Sequence, residues 1–189
     1  MRNGVVIILC IITAASCSLL PHKKETQTAL QQDSIINDSL VTIYADTSNP
    51  LFIYTGDTKP QAVVYFAQTL IGVPYVYASS DPTIGFDCSG FITYVFNHFN
   101  ITVPRSSIEF TNVPYEVPLA DAKAGDLILF TGTDSTIRVV GHMGIVVKNE
   151  NGLQFIHSTS GKANGVTITP LNDYYRGRFV KIVRVFPGN

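Results

Sequence analysis

Residues 84–92 read Ile84-Gly85-Phe86-Asp87-Cys88-Ser89-Gly90-Phe91-Ile92. A thiol stands here between an acid and a hydroxyl. Immediately after it, Phe91, Ile92, Val95, Phe96 and Phe99 recur with a 3.6-residue period, which predicts a helix that opens at Cys88 and buries one apolar face. A structural cysteine would keep apolar company, and Asp87, Ser89 and Gly90 are not that. At a helix start, unpaired N–H groups and the helix dipole favour negative charge. They lower a thiol's pKa from about 8.5 and offer donors to a developing oxyanion. A neighbouring imidazolium would lower it further. Gly90 would leave room for a substrate backbone to approach.

Upstream, Pro60 suits the first turn of a helix, Ala62, Val63, Phe66, Ala67 and Leu70 follow at helical spacing, and Gly72 with Pro74 ends the run. After Pro104 the chain changes character. Asp126–Phe130, His142–Val147, Gln154–Thr159, Val166–Thr169 and Phe179–Phe186 are short β-rich segments separated by Gly, Asn and Asp. Asn149-Glu150-Asn151-Gly152 fits a hairpin turn between two of them. Helices first and consecutive strands afterwards predict an α+β domain with an antiparallel sheet.

A thiol nucleophile needs a base. Of the four histidines, His22 falls in a polar N-terminal stretch, and His98 lies nearly three turns beyond Cys88 on the same helix, out of reach. His142, in Gly-His-Met-Gly-Ile-Val-Val, and His157, in Phe-Ile-His-Ser-Thr, sit on β-segments joined by the hairpin. Alternation sets His142, Gly144 and Val146 on one face, with small residues leaving the imidazole open to a cleft. Two imidazoles on adjacent strands fit a base and the group that orients it. The rival use of one Cys and two His is zinc. Without Cys-x-x-Cys or His-Glu-x-x-His spacing, no metal is expected.

The chain has 189 residues, a formal net charge of −1 and no long run of like charge, which argues against a nucleic-acid partner. Met1-Arg2-Asn3, the apolar run Val5 to Ile12 and the small residues Thr13 to Ser16 make an export signal too short to span a bilayer comfortably. Ala14-Ala15-Ser16-Cys17 resembles a bacterial lipoprotein box, with Ala14 where Leu is commonest. A lipidated Cys17 would hold the protein to a membrane, at about 0.8 kcal/mol per buried methylene. The expected organisation is a signal peptide over 1–16, a lipidated N-terminus and tether over 17–57 with Leu51–Tyr54 apolar enough to pack on the domain, and a folded domain over 58–189. Cys10 leaves with the signal and Cys17 carries lipid, so Cys88 is the one free thiol of the mature chain. An unpaired thiol in an exported protein points to reactivity.

Together the segments Gly72–Phe91, Ala122–Phe130, Gly141–Val147 and Phe155–Gly161 resemble the NlpC-type cell-wall cysteine peptidases, over about Gln61 to Val185 and in the family's order. The resemblance implies a reduced papain-like fold. It matches Cys88 with the nucleophile, His142 with the general base and His157 with the orienting residue. It matches Tyr75 with a tyrosine whose hydroxyl faces the cysteine near the oxyanion, a core aromatic being the alternative. Asp87 and Ser89 match substrate-contacting flanks. Arg105 and Ser106 match a segment beside the cleft, with a structural ion pair as the other reading of Arg105. The family cleaves stem peptides, typically between D-glutamate and the next diamino acid, without metal or organic cofactor. A monomer acting on peptidoglycan is expected. A non-catalytic wall-peptide binder and a thiol amidase or acyltransferase remain the alternatives. Ala78-Ser79 replace a frequent Gly-Gly and Phe110 a frequent Gln, differences expected to bear on cleft shape.

Overall fold

A computed structural model describes residues 49–188. The export signal, Cys17 and most of the tether lie outside the described residues. Helix α1 (Pro60–Gln68) begins with proline in its first turn and buries Val63, Val64 and Ala67. A small hairpin, β1 (Ser80–Asp81) and β2 (Gly85–Phe86), leads into α2 (Cys88–Asn97). Asp87 caps α2: its Oδ1 accepts the Gly90 N–H at 2.6 Å. The His98 ring at the far end stacks on Phe66 of α1, centroids 3.6 Å apart. A 3₁₀ turn over Ser107–Asn112 follows, then β3 (Glu116–Val117), β4 (Leu127–Thr131), β5 (Val140–Lys148), β6 (Gln154–Thr159), β7 (Gly165–Pro170), α3 (Asp173–Arg178) and β8 (Phe179–Val183).

The larger sheet is antiparallel, in the order β3-β8-β4-β5-β6-β7. Period-2 alternation in β4 explains its two buried faces. Leu127 and Leu129 join a cluster with Val63, Ala67, Phe91, Ile92, Val95 and Phe96 of the two helices. Ile128 and Phe130 join a second cluster with Val146, Phe155, Leu171 and Tyr175. Each fully buried large apolar side chain contributes roughly 1.5–3 kcal/mol. Arg184 clamps the base of β4 through both carboxylate oxygens of fully buried Asp126, at 3.0 and 2.9 Å. Before α1, Leu51 and Ile53 pack on the first cluster and the Leu51 N–H donates to Asn112 O at 2.9 Å. The expected α+β fold, with Cys88 at a helix start against an antiparallel sheet, is the one observed. Phe110, read as a cleft residue, is instead fully buried in the helix-side core.

Two local irregularities aim the site. The pairing of β4 with β5 shifts register between Phe130, opposite His142, and Thr131, opposite Val140. The resulting bulge leaves Gly141 unpaired, and its carbonyl lies 3.9 Å from Cys88 Sγ. Gly90 serves packing rather than substrate, contrary to the sequence reading: a Cβ there would stand 2.1 Å from the Ser79 carbonyl oxygen. The chain before β1 thus crosses the first turn of α2 at a distance only glycine permits, and Ser79 O in turn accepts the Asp87 N–H at 3.0 Å.

Candidate active site

Cys88, Tyr75 and His142 line one cavity of about 1000 Å³, with Thr167 and Thr169 of β7, Tyr174, Tyr175 and Arg178 of α3, and the 159–163 loop. His142 and His157 occupy diagonal positions on β5 and β6: a Cβ on Gly144 would stand 3.2 Å from His157 Cβ. Their rings meet directly, with His142 Nε2 2.8 Å from His157 Nδ1. His157 Nε2 lies 2.9 Å from Thr169 Oγ1. The relay is self-consistent in two directions. If each imidazole carries its hydrogen on Nε2, His142 donates to His157, His157 donates to Thr169, and His142 Nδ1 is left with a free lone pair. Both nitrogens of His157 are engaged either way. Among the described residues no three His, Cys, Asp or Glu side chains converge as metal ligands would.

Tyr175 supports the relay from the other side, its ring 6.1 Å from that of His142 and edge-on to His157 at 5.3 Å. Arg178 holds α3 against the end of β4, donating to Gly132 O at 2.8 Å and Thr131 O at 2.8 Å. Burial, reinforced by His157 and by the Arg178 cation, holds His142 well below the ordinary imidazole range. Burial and then Arg178 bring His157 down to about 3. Neutral imidazoles therefore fill the relay at pH 7.

The expected lowering of the Cys88 pKa is not observed. Burial, and next the Asp87 carboxylate, push the thiol up to about 11. The N–H groups of Ser89, Met143 and Cys88 itself oppose that rise without reversing it. Desolvation of a thiolate outweighs the helix start, and the resting site holds a neutral thiol beside a neutral imidazole. Tyr75 feels the same neighbourhood: burial, then Cys88 and Asp87, raise its pKa.

Asp87 and Ser89, read as substrate contacts, face elsewhere. Arg105 takes both Asp87 oxygens, at 3.0 and 2.7 Å, and Ser89 Oγ at 2.9 Å. Both acid and hydroxyl are buried, and neither they nor Arg105 and Ser106 line the cavity. Of the two readings of Arg105, the structure takes the ion pair, a brace under the helix start. Exposed Ser106 donates its N–H to Glu109 Oε2 at 3.3 Å and opens the 3₁₀ turn. Thr169, Tyr175 and Arg178 escaped the sequence reading. The Asn172 cap, whose Oδ1 accepts the Tyr175 N–H at 3.1 Å, was the available signal for the short helix that carries the last two.

Comparison with known proteins decides the family. The NlpC/P60 family model matches residues 72–184, which contain Cys88, His142 and His157. The chain belongs to the NlpC/P60 family. This NlpC/P60 chain is 31% identical over 133 residues to the gamma-DL-glutamyl hydrolase of Bacillus subtilis, covering 70% of this chain and 32% of that protein. It is 29% identical to a probable endopeptidase NlpC homolog of Haemophilus influenzae, over 94% of each chain. The peptidoglycan endopeptidase RipB of Mycobacterium tuberculosis is 35% identical over 59% of this chain and 48% of its own. The chain thus spans about a third of the first of these relatives. Among solved structures, an NlpC/P60 protein from Bacillus cereus superposes with TM-score 0.62 at 27% identity, over 70% of this chain and 42% of that one. The NlpC/p60 domain of the peptidoglycan hydrolase SagA does so with TM-score 0.56 at 26% identity, over 67% and 99%.

Proposed function

We propose that this NlpC/P60 domain is a cysteine endopeptidase that hydrolyses peptidoglycan stem peptides, at the amide between D-glutamate and the following diamino acid. The observation that carries the reading is the relay of two buried imidazoles and Thr169 opening on the same cavity as Cys88. The names of the relatives, a gamma-DL-glutamyl hydrolase and peptidoglycan endopeptidases, give the substrate class.

In this mechanism His142 Nδ1 takes the Cys88 proton as Sγ attacks the carbonyl carbon, so charge separates only on attack. His157 accepts the His142 Nε2–H, holds that tautomer and stabilises the imidazolium that forms. The N–H groups about Cys88 and the Tyr75 hydroxyl receive the oxyanion. The C–N bond breaks as His142 returns its proton to the leaving amine, and a D-glutamyl thioester remains on Cys88. His142 then takes a proton from water, hydroxide attacks the thioester, and the departing thiolate is reprotonated. No cofactor enters. Lipid on Cys17 would anchor the exported enzyme beside its polymer, with no helix of the described residues long and apolar enough to cross a membrane.

The burial that pushes the Cys88 thiol up to about 11 leaves a second reading to be tested, a wall-peptide binder without turnover. Activity and alkylation together separate the two. The peptidase reading expects muropeptide cleavage that iodoacetamide, mapped to Cys88, abolishes, and cleavage that survives complete alkylation of Cys88 contradicts it. Muropeptide binding with no cleavage, and a Cys88 unreactive towards the reagent, support the binder.

A further inference from the structure

The cavity beside Cys88 is charged with one sign only. Lys162 and Arg178 line it, and among the described residues no Asp or Glu does. Arg178 is 7% exposed, yet the ion pairs among the described residues give it no carboxylate. Its hydrogen bonds go to neutral oxygens, the Gly132 and Thr131 carbonyls and the Tyr174 hydroxyl at 2.7 Å. These engage three of its five N–H donors. The Tyr174 and Tyr175 rings flank the guanidinium at 5.0 and 5.7 Å. A buried cation without a counter-charge is costly, and the cavity wall that carries it favours an anion. Lys162, on the exposed loop between β6 and β7, likewise has no ion pair among the described residues.

Placement adds a direction. Arg178 lies one helical turn from Tyr175, whose ring faces both His142 and His157. This is the imidazole side of Cys88, the side on which the leaving amine is protonated. We propose that Arg178 and Lys162 form a carboxylate subsite for the residue that leaves as the amine, so that the cavity selects substrates whose leaving residue carries a free carboxylate. The proposal rests on the peptidase reading for its direction. Arg178 binds the end of β4 as well, so Lys162, which is exposed, is the residue to change first.

The test uses four substrates. L-Ala-γ-D-Glu is joined to meso-diaminopimelate or to L-lysine, each with its main-chain terminus as acid or as amide. Wild-type kcat/KM is expected to be higher for leaving residues with a free carboxylate by roughly tenfold, the scale of one charge pair near a protein surface. Lys162→Glu is expected to erase most of that preference. Arg178→Lys, which keeps the charge and loses the fork, is expected to retain part of it. Comparing the diaminopimelate amide with the lysine acid tells which carboxylate is read. Wild-type rates within twofold for all four, or an undiminished preference in Lys162→Glu, overturn the subsite. Binding is read separately on Cys88→Ala by calorimetry with meso-diaminopimelate and L-lysinamide, which carries no carboxylate. Tighter binding of the former, lost on adding Lys162→Glu, supports the subsite, and equal binding overturns it. Cleavage of none of the four substrates removes the peptidase reading while the calorimetry still decides the subsite.

Discussion

Replacing His157 by asparagine should flatten the pH dependence of stability. His157 is fully buried and held at about 3 in the fold, against 6.5 for an ordinary imidazole. Between those values the unfolded chain binds a proton at this residue and the folded chain does not. The depressed pKa therefore contributes stability that is present above 6.5 and lost as pH falls towards 3. Each unit of difference is worth about 1.4 kcal/mol, which gives about 2 kcal/mol lost between pH 7.5 and pH 5 from this one group. Asparagine cannot titrate. Its own cost, from lost packing and a rearranged bond to Thr169, is the same at every pH and drops out of the slope. Urea denaturation of both proteins at pH 7.5, 6.5, 5.5 and 5.0, extrapolated to water, should show the variant less stable at pH 7.5 and the gap narrowing by about 2 kcal/mol at pH 5. Parallel curves would mean that His157 titrates normally in the folded protein, and the neutral relay would fall with that result.

Gly90→Ala should cost more than about 3 kcal/mol or prevent folding, since its Cβ would meet backbone rather than a movable side chain; thermal melting reads it, and a wild-type melting temperature would refute the close crossing. Thr169→Val removes the relay's terminal hydroxyl, and kcat should fall about tenfold with KM little changed, the scale of one buried hydrogen bond; steady-state kinetics on a muropeptide would show it, and an unchanged kcat would take Thr169 out of the relay. Cys17→Ala should move the protein from the membrane to the soluble fraction while a muropeptide is still cleaved; continued sedimentation with membranes would refute the lipid anchor.

The long elements were legible because what they bury shows in the sequence. Phe91, Ile92, Val95 and Phe96 carry the period of α2, and the short unbroken apolar run Leu127–Phe130 announces β4, buried on both faces. The relay was half legible. His142 and His157 stood out as rare residues on segments joined by a hairpin, whereas Thr169 looks like any strand threonine until register brings it to 2.9 Å from His157. α3 has six residues and two tyrosines in place of an apolar stripe, and its fold comes from packing Tyr175 against Phe130 and Phe155. The roles of Asp87, Ser89 and Arg105 were hidden for a different reason. Their contact joins residues 16 and 18 apart in the chain, and motif position alone does not distinguish a brace from a substrate contact. The thiol's raised pKa followed the same logic. The helix start is written in the sequence, whereas the burial that outweighs it belongs to the assembled site.

The central claim is that Cys88 attacks the D-glutamyl carbonyl of a stem peptide. The most direct test incubates the purified protein and its Cys88→Ala variant with defined muropeptides and reads the products by mass spectrometry. The account predicts fragments split between D-glutamate and the diamino acid with wild type and none with Cys88→Ala. The same fragments from the variant, or no cleavage of any stem peptide by a wild-type protein with its thiol intact, would contradict it.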